Sequence, residues 1–232
     1  MSAGTVLVTG GSGGVGAAVC RQAAAAGWKV WVGYGNGADR AESLAVEINR
    51  VGGWASALHV PLADPDGIRE AAIALAADEP ADAVVLCAAA PPDVAPFFKQ
   101  TPEQLRVQFE VNVVGNQVLL AELWRRCFRP RGGGHVLGVL TAALGPPAAP
   151  HMAGYVAAKG GLAALLEAAK AELGPAGLRV DSVSPGYIET PMLEAFPALF
   201  IDRARAAAPG GRFLTPEEVA GMVMEKLGSR AP

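Results

Sequence analysis

Tyr155 and Lys159 are the two side chains of this sequence best suited to acid–base chemistry. They stand four residues apart in the alanine-rich segment Ala153–Leu173, so a helix there places the phenol and the ammonium on one face. A free tyrosine, with a pKa near ~10, is a poor proton donor at neutral pH. A cation held ~4 Å away at an effective dielectric constant of ~20 contributes about 4 kcal/mol, or roughly three pKa units. The spacing therefore predicts a proton donor whose pKa Lys159 lowers.

A glycine-rich loop near the N-terminus gives that pair a context. Thr9–Gly16 lies between a β-rich run and a helical run, and its spacing is Gly10-x-x-x-Gly14-x-Gly16. Glycine keeps Cβ atoms away from a cofactor pyrophosphate, which the N–H groups and the positive dipole end of the following helix bind. A glycine-rich turn without a ligand is the alternative, and the position directly after the first strand favours the cofactor. Loop and pair together predict a hydride-transfer enzyme.

Strand-like and helix-like segments alternate along the chain. The predicted strands are Thr5–Thr9, Lys29–Gly33, Ala55–Val60, Ala83–Cys87, Gly134–Leu140 and Leu178–Val183. The predicted helices are Val15–Ala26, Asp39–Val51, Pro65–Ala77, Pro102–Phe128, Ala153–Leu173 and Pro216–Leu227. This alternation implies right-handed crossovers and a parallel sheet. No repeat or linker divides the chain, so we expect residues 1–232 to form one α/β domain, a Rossmann-type doubly wound parallel sheet with helices on both faces.

Composition and charge exclude several classes of protein. Hydrophobic residues make up 51% of the 232 residues, which is enough for one sizeable core. The formal net charge of −3 argues against a nucleic-acid surface, and no apolar run reaches the ~18 residues of a membrane span. The three histidines are too scattered for a metal cluster, so we expect no metal site. Cys20, Cys87 and Cys127 lie inside predicted elements, which favours reduced thiols in a cytoplasmic protein.

The segment after the second strand bears on the choice between NADH and NADPH. An acidic residue at this point binds the adenosine ribose and repels a 2′-phosphate. No carboxylate occurs between Gly33 and Asp39, and Tyr34 and Asn36 are suited to line a phosphate pocket with Arg40 within reach. These residues favour NADPH. NADH stays open as the less favoured cofactor, because the glycine loop contains no basic residue.

The order of these motifs resembles the short-chain dehydrogenase/reductase family over nearly the whole chain. The glycine loop resembles the family's cofactor loop, and Tyr155 with Lys159 resembles its catalytic pair. Asn112–Gly115 resembles the family's N-V-x-G motif, whose asparagine positions a proton-relay water. Pro185–Met192 is similar to the family's segment beside the nicotinamide. Gly211–Val219 is similar to a late segment of the β-ketoacyl-acyl-carrier-protein reductase branch.

The resemblance implies an activity and a set of site residues. The implied activity is NADPH-dependent reduction of a 3-oxoacyl or polyketide-type thioester, in fatty acid or polyketide biosynthesis. The catalytic residues implied are Asn112, Thr141, Tyr155 and Lys159. The cofactor-binding residues implied are Gly10, Ser12, Gly13, Gly14, Val15, Gly16, Tyr34, Asn36, Leu62, Ala88, Ala89, Tyr155, Lys159, Pro185, Gly186, Ile188 and Thr190.

The position of the family's catalytic serine has two possible matches here. Counting back from Tyr155 by the family's usual spacing lands on Ala142, which has no hydroxyl. Aligning the fifth strand, Gly134–Thr141, with the family's G-R-I-V-N-I-S-S places Thr141 there instead. Strand register is rigid, because a slip by one residue inverts every side chain, whereas loop length varies easily. We therefore expect Thr141 in the serine's role; a threonine that only ends a strand is the alternative.

Other departures from the family pattern concern the support of the site. The family's N-N-A-G is Cys87–Ala90 here, which removes asparagine side chains that hydrogen-bond the neighbouring backbone. Pro61 replaces the acid that often meets adenine, so a looser adenine pocket is expected. The family usually continues beyond Pro216–Leu227 into a seventh strand that supports tetramers, and we expect that strand to be missing. A homo- or hetero-oligomer formed through the helices Glu103–Phe128 and Ala153–Leu173 is still expected.

Three further features have two interpretations each. The basic cluster is either a docking site for an acidic acyl carrier protein or a set of cations at a helix C-terminus; it consists of Arg125, Arg126, Arg129 and Arg131. His151 is either a substrate contact or an exposed loop residue. The segment at about 189–212 is expected to be a substrate lid, and a packed pair of helices is the alternative.

Two functions other than ketoreduction stay open. One is a redox-silent subunit that binds the cofactor and supports an active partner, which the Ala142 count and the missing asparagines motivate. The other is a dehydratase or isomerase that uses Tyr155 alone. The joint presence of Tyr155, Lys159 and Asn112 favours an active oxidoreductase.

Overall fold

Six parallel strands form one sheet in the computed structural model, which describes residues 3–228 of the chain. They are β1 (Gly4–Thr9), β2 (Trp28–Tyr34), β3 (Trp54–His59), β4 (Ala83–Leu86), β5 (Gly134–Val139) and β6 (Leu178–Val183). The order across the sheet is β3-β2-β1-β4-β5-β6, so the order reverses between β1 and β4. This doubly wound order confirms the predicted fold class. The expectation of a missing seventh strand falls on residues 229–232, outside the described part.

Helices cover both faces of the sheet. They are α1 (Gly14–Ala25), α2 (Ala38–Arg50), α3 (Pro65–Ala77), α4 (Pro102–Phe109), α5 (Gly115–Leu123), α6 (Ala153–Leu173), α7 (Ala198–Ala207) and α8 (Pro216–Gly228). Helices α1, α2 and α8 pack on one face, and α3, α5 and α6 on the other. The helical segments predicted from the sequence are found close to their predicted bounds. No helix within residues 3–228 is long and apolar enough to cross a membrane.

The central strands are apolar at nearly every position because both of their faces are covered. Val8 and Val85 pack towards α1 and α8, while Leu7 and Leu86 pack towards α3, α5 and α6. The parallel register pairs Val8 with Val85 and with Val32 on its other side. The ends of the parallel strands are therefore fixed relative to one another, and the loops that follow them leave from the same edge of the sheet.

The predicted helical stretch Pro102–Phe128 is found over its full length, but it is not α-helical throughout. A π-helical turn at Glu110–Val114 separates α4 from α5, and a second one at Trp124–Phe128 follows α5. Gly115 packs closely against the loop that precedes α3. A Cβ on Gly115 would lie 2.0 Å from the Leu62 carbonyl oxygen. The wider turn brings Asn112 into the buried interior, where its side chain is 0% exposed. Apolar periodicity does not reveal such a turn, because the residues on either side remain helical.

Candidate active site

The glycine loop between β1 and α1 is shaped for close approach to an anion. Gly10 has a φ of +65°, and a Cβ on Gly16 would lie 2.1 Å from the Gly10 carbonyl oxygen. Helix α1 begins at Gly14, one residue before the predicted start, and its N-cap Gly13 provides no side-chain hydrogen bond. The first turn contains no acidic residue. Its N–H groups and dipole therefore fit a pyrophosphate, with Val15 in the same turn.

The loops after β1 and β4 meet at the point where the strand order reverses. A Cβ on Gly10 would lie 2.9 Å from the Cα of Ala88, so only glycine allows this approach. The Thr9 hydroxyl accepts a hydrogen bond from the Ala88 N–H at 3.2 Å. Thr9 thus anchors the segment that lost the family's asparagines. Ala88 and Ala89 are half-buried there, at the position where doubly wound folds bind nucleotides.

The adenosine rim, as we name Ser12, Tyr34, Asn36 and Arg40, lies at the ends of β1 and β2. The Arg40 Nε donates to the Ser12 carbonyl oxygen at 3.4 Å, which brings the guanidinium against the glycine loop. A Cβ on Gly37 would lie 2.5 Å from the Ser12 Oγ and 2.7 Å from the Arg40 Nη2. Asn36 and Arg40 are exposed. The hydroxyl and the guanidinium are thus close enough to share one phosphate.

His59 joins this rim, although the sequence did not single it out as a cofactor residue. Its ring lies against the Tyr34 ring with centroids 5.3 Å apart, because the β2–β3 register places the two residues opposite each other. The sequence could have indicated this contact, because aligning the carboxyl ends of β2 and β3 places His59 beside Tyr34. Leu62, predicted to contact the cofactor, has its side chain in the core at 6% exposure. Only the backbone of Leu62 remains for such a contact.

The segment after β6 carries the remaining predicted cofactor residues. Pro185 is buried and Gly186 is exposed, and the Pro185 carbonyl accepts from the Ala142 N–H at 2.8 Å. Ile188 pairs with Leu214 in a short parallel bridge. Thr190 covers the glycine loop closely, since a Cβ on Gly14 would lie 2.9 Å from its Cγ2. The segment therefore runs along the same crevice as the β1 and β4 loops.

The catalytic corner, as we name Asn112, Thr141, Tyr155 and Lys159, lies where α6 packs near the end of β5. Thr141 follows β5 in extended conformation, and its hydroxyl accepts from the Ala143 N–H at 3.1 Å. The same hydroxyl lies near enough to the Tyr155 phenol to lower the pKa of that group. Because the Thr141 oxygen accepts from Ala143, its own proton is available to the phenol oxygen. Ala142 is exposed and its N–H points to Pro185.

The expectation that Lys159 lowers the pKa of Tyr155 is wrong for the protein alone. Burial raises the pKa of Tyr155 above its ordinary value, and the Thr141 hydrogen bond only partly opposes this. The Lys159 Nζ lies 5.9 Å from the centre of the Tyr155 ring and donates to the Val139 carbonyl at 2.9 Å. Lys159 is itself buried, which lowers its pKa to about 8. Desolvation therefore outweighs the charge–charge attraction assumed from the spacing.

Asn112 presents one unsatisfied polar atom to the buried site. Its Nδ2 donates to the Gln108 carbonyl at 3.0 Å and to the Gln108 Oε1 at 3.2 Å. Its Oδ1 is buried and accepts no hydrogen bond from the residues the structure describes. A buried carbonyl oxygen of this kind fits a bound water or cofactor hydroxyl. The π-helical turn that carries Asn112 packs against α6, which also carries Tyr155 and Lys159.

The basic cluster does not face this site. Arg125 and Arg126 both pair with Glu122 on the same helix, at 2.9 and 2.8 Å. Arg131 pairs with Asp82, which directly precedes β4. The cluster therefore lies at the amino edge of the sheet, whereas the site lies at the carboxyl edge, about 17 Å away along a six-residue strand. Ion pairing within the chain accounts for three of the four arginines.

His151 lies just before α6, four residues from Tyr155, and the expected lid follows β6. His151 is exposed and has a φ of +65°, and its carbonyl accepts from the Ala95 N–H and the Gln100 Nε2. Tyr187 forms an aromatic cluster with the lid and its flank, at ring-centroid distances of 5.2 to 6.0 Å; its partners are Phe196, Phe200 and Phe213. Arg205 pairs with Glu189.

The three cysteines are free thiols, and residues 3–228 contain no cluster suited to a metal ion.

These features define a class of protein: a doubly wound nucleotide-binding fold with a tyrosine beside a buried lysine. Comparisons with known proteins make the class specific. The family described as Enoyl-(Acyl carrier protein) reductase matches residues 10–225. An acetoacetyl-CoA reductase of Rhizobium meliloti (strain 1021) is 34% identical over 220 residues, 94% of this chain and 88% of that protein.

A second relative and a solved structure indicate the same class of protein. An L-rhamnose 1-dehydrogenase (NAD(P)(+)) of Azotobacter vinelandii is 32% identical over 95% of this chain and 88% of its own length. A gluconate 5-dehydrogenase of Burkholderia cenocepacia J2315, solved with NADP and tartrate, superposes with a TM-score of 0.88 at 25% identity, over 97% of this chain and 88% of that chain. The chain belongs to the short-chain dehydrogenase/reductase family. It is an NAD(P)-dependent oxidoreductase that resembles the ketoacyl reductase branch.

Proposed function

We propose that the protein is an NADPH-dependent ketoreductase that reduces a 3-oxoacyl or polyketide-type thioester to its hydroxy product. The observation that carries the proposal is the placement of the Thr141 hydroxyl near the Tyr155 phenol, with the Lys159 ammonium 5.9 Å from the centre of the phenol ring. A redox-silent subunit has no need of this pair. The acyl thioester is favoured because an acetoacetyl-CoA reductase is among the most similar relatives.

Each residue of the catalytic corner has one task in this reaction. Bound reduced nicotinamide supplies the hydride that the carbonyl carbon accepts. Tyr155 donates its phenolic proton to the carbonyl oxygen, and Thr141 donates a hydrogen bond to the same oxygen as negative charge develops there. Asn112 offers its free Oδ1 to a water that returns a proton. Lys159 places a buried positive charge next to the phenolate that forms.

The raised pKa of Tyr155 is compatible with this role. A free tyrosine is already protonated at neutral pH, and burial raises the pKa of Tyr155 further, so the donor holds its proton until substrate arrives. The phenolate that proton transfer creates is stabilised by the nearby Lys159 ammonium. The positive charge thus acts mainly on the product side of the transfer, where the negative charge appears.

The preference for NADPH rests on the adenosine rim. Ser12 and Arg40 lie together at the carboxyl ends of β1 and β2, and no carboxylate lies between Tyr34 and Asp39. An NADP 2′-phosphate there meets a guanidinium and a hydroxyl, a pair suited to bind phosphate. NADH lacks that phosphate and gains nothing from Arg40.

We propose that residues 189–212 form the substrate lid of one domain spanning residues 1–232. The Tyr187 cluster and the Arg205–Glu189 pair hold α7 against the segment after β6. We also propose an oligomer formed through α4, α5 and α6. The support is a set of exposed apolar side chains at 37 to 55% exposure: Leu105, Val107, Phe109 and Val114.

The substrate's carrier is either coenzyme A or an acyl carrier protein. The position of the basic cluster at the opposite edge of the sheet favours coenzyme A, because a carrier docked there is about 17 Å from the site. The deciding assay measures NADPH oxidation with acetoacetyl-CoA and with acetoacetyl carrier protein. We expect turnover of the coenzyme A thioester. NADPH binding without turnover of any ketone, alone or with cell lysate, contradicts the proposed function.

A further inference from the structure

A chain of side-chain amides links the catalytic corner to the loop after β4. Gln108 lies on α4, and its side chain is buried, with 1% exposure. Its Nε2 donates to the Pro91 carbonyl at 2.6 Å, and its Oε1 accepts from the Asn112 Nδ2 at 3.2 Å. Pro91 directly follows the Cys87–Ala90 segment at the cofactor crevice. Gln108 therefore contacts both a cofactor loop and a predicted catalytic residue.

The chemistry of the three groups fixes their orientation. A peptide carbonyl can only accept, so the end of Gln108 that faces Pro91 must be the NH₂ group. The other end is then an oxygen, and the Asn112 atom facing it must be a donor. The Gln108 backbone carbonyl, at 3.0 Å from the same Nδ2, imposes the same choice. Both N–H bonds of the Asn112 amide are thereby used, and its Oδ1 is left without a hydrogen-bond partner among the described residues.

We propose that Gln108 is a positioning residue that turns Asn112 into a pure hydrogen-bond acceptor and ties it to the cofactor loop. The inference rests on the proposed reductase function, in which Asn112 holds the relay water. Without the Gln108 side chain, one N–H of Asn112 loses its partner in a buried place and competes as a donor. The Pro91 carbonyl loses its anchor at the same time.

The composition of the loop explains why this chain needs such an anchor. Cys87–Ala90 offers no amide side chain of its own, and Thr9 holds it only through the Ala88 N–H. Gln108, on α4, holds the next residue, Pro91, through its carbonyl oxygen. The two bonds replace, from neighbouring elements, the support that a local asparagine supplies. Gln108 thus couples cofactor loop and relay residue in one rigid unit.

The test is a double-mutant cycle of Gln108→Met with Asn112→Ala, read in kcat and KM separately. If Gln108 acts through Asn112, Gln108→Met lowers kcat about ten-fold in the wild-type background and has no further effect in Asn112→Ala, as expected for contacting residues. The matched control is Gln117→Met on α5, where the side chain is exposed. It should leave kcat unchanged. Equal losses in both backgrounds overturn the proposal.

A second variant covers the case in which Gln108→Met folds poorly. Gln108→Glu keeps an acceptor for Asn112 but donates to Pro91 only when its carboxyl is protonated. Its kcat relative to the wild type should therefore rise as the pH falls. A ratio that does not change with pH contradicts the proposal.

A spectroscopic readout separates this inference from the proposed function. The Asn112 side-chain amide signal, identified by its loss in Asn112→Ala, should shift and exchange faster with solvent in Gln108→Met. An unchanged signal overturns the positioning role even in an active enzyme. A shifted signal in a protein that reduces no ketone supports the positioning role of Gln108 and contradicts the proposed reductase function instead.

Discussion

The catalytic corner and the adenosine rim differ in how the fold holds their polar groups. Asn112 and Lys159 are 0% and 2% exposed, and their amide and ammonium groups donate to named acceptors within the chain. Asn36 and Arg40 of the rim are exposed, and the guanidinium makes one long hydrogen bond to Ser12. Buried polar groups must be satisfied by the protein, so their geometry is fixed, whereas water satisfies the exposed ones.

The difference indicates that chemistry and cofactor choice are controlled separately. Fixed groups in the buried catalytic corner stabilise charge strongly, because little water competes with them. Charges on the solvent-exposed adenosine rim contribute less binding free energy and are screened by salt. Substitutions in the corner should therefore change turnover, and substitutions on the rim should change cofactor preference alone. The following predictions test this separation.

Tyr155→Phe should have the largest effect, a fall in kcat of about 10³-fold, since a positioned general acid contributes within that range. The variant keeps the ring and its packing, so NADPH affinity should stay within about two-fold. Steady-state assays and fluorescence titration with NADPH measure the two quantities. Retention of most of the wild-type kcat would falsify the role of Tyr155 as proton donor.

Lys159→Met should abolish turnover and yet stabilise the fold at pH 7. Burial lowers the pKa of Lys159 to about 8 from 10.5, so the charged form is disfavoured in the folded state by about 3 kcal/mol. That penalty is complete below pH 8 and is relieved as the pH rises from about 8 to 10.5, because the unfolded chain then holds more protons. The lost bond to Val139 offsets part of the gain.

Thermal unfolding of Lys159→Met across pH checks the sign. We expect a Tm about 5 °C above that of the wild type at pH 7, and a smaller difference at pH 10. A Tm below that of the wild type at pH 7 indicates that the Val139 hydrogen bond outweighs the burial of the charge. Lys170→Met, on the same helix but exposed, is the matched control and should change Tm little.

Thr141→Ala should lower kcat about 100-fold, which is the cost of losing one donor to a developing oxyanion. Thr141→Ser keeps the hydroxyl and should remain close to the wild type. Ala142→Ser, which adds a hydroxyl at the alternative position, should not rescue Thr141→Ala, because Ala142 is exposed and its N–H points to Pro185. Rescue by Ala142→Ser would assign the role of the family's catalytic serine to position 142 and not to Thr141.

Arg40→Ala should weaken NADPH binding about ten-fold, near 1.4 kcal/mol, and leave NADH binding unchanged. The loss should shrink at high salt because the site is open to solvent. Calorimetric titration with each cofactor makes the measurement, and Arg50→Ala, at the other end of α2, is the control. Equal losses for both cofactors place Arg40 away from the 2′-phosphate.

Arg129→Glu should have the smallest effect. Arg129 lies with the basic cluster at the amino edge of the sheet, about 17 Å from the catalytic corner. The kcat/KM for acetoacetyl-CoA and for acetoacetyl carrier protein should both remain within about two-fold of the wild type. A selective loss with the carrier protein restores the docking role of the cluster.

The sequence by itself determined the alternation of elements, the position of the glycine loop and the pairing of Tyr155 with Lys159 on α6. These features depend on residues close together in the chain, whose apolar spacing and glycine content express local preferences. The strand alignment also pointed to Thr141, since a strand's register cannot shift by one residue without inverting its side chains.

Only the tertiary structure decided the rest, because it depends on contacts between residues far apart in sequence. Packing of Gly115 against the Leu62 carbonyl accompanies the π-helical turn within the predicted helical stretch Pro102–Phe128. Burial, which no spacing reveals, raised the pKa of Tyr155 where the sequence predicted a lower one. The link from Pro91 through Gln108 to Asn112 likewise exists only once β4 and α4 are brought together.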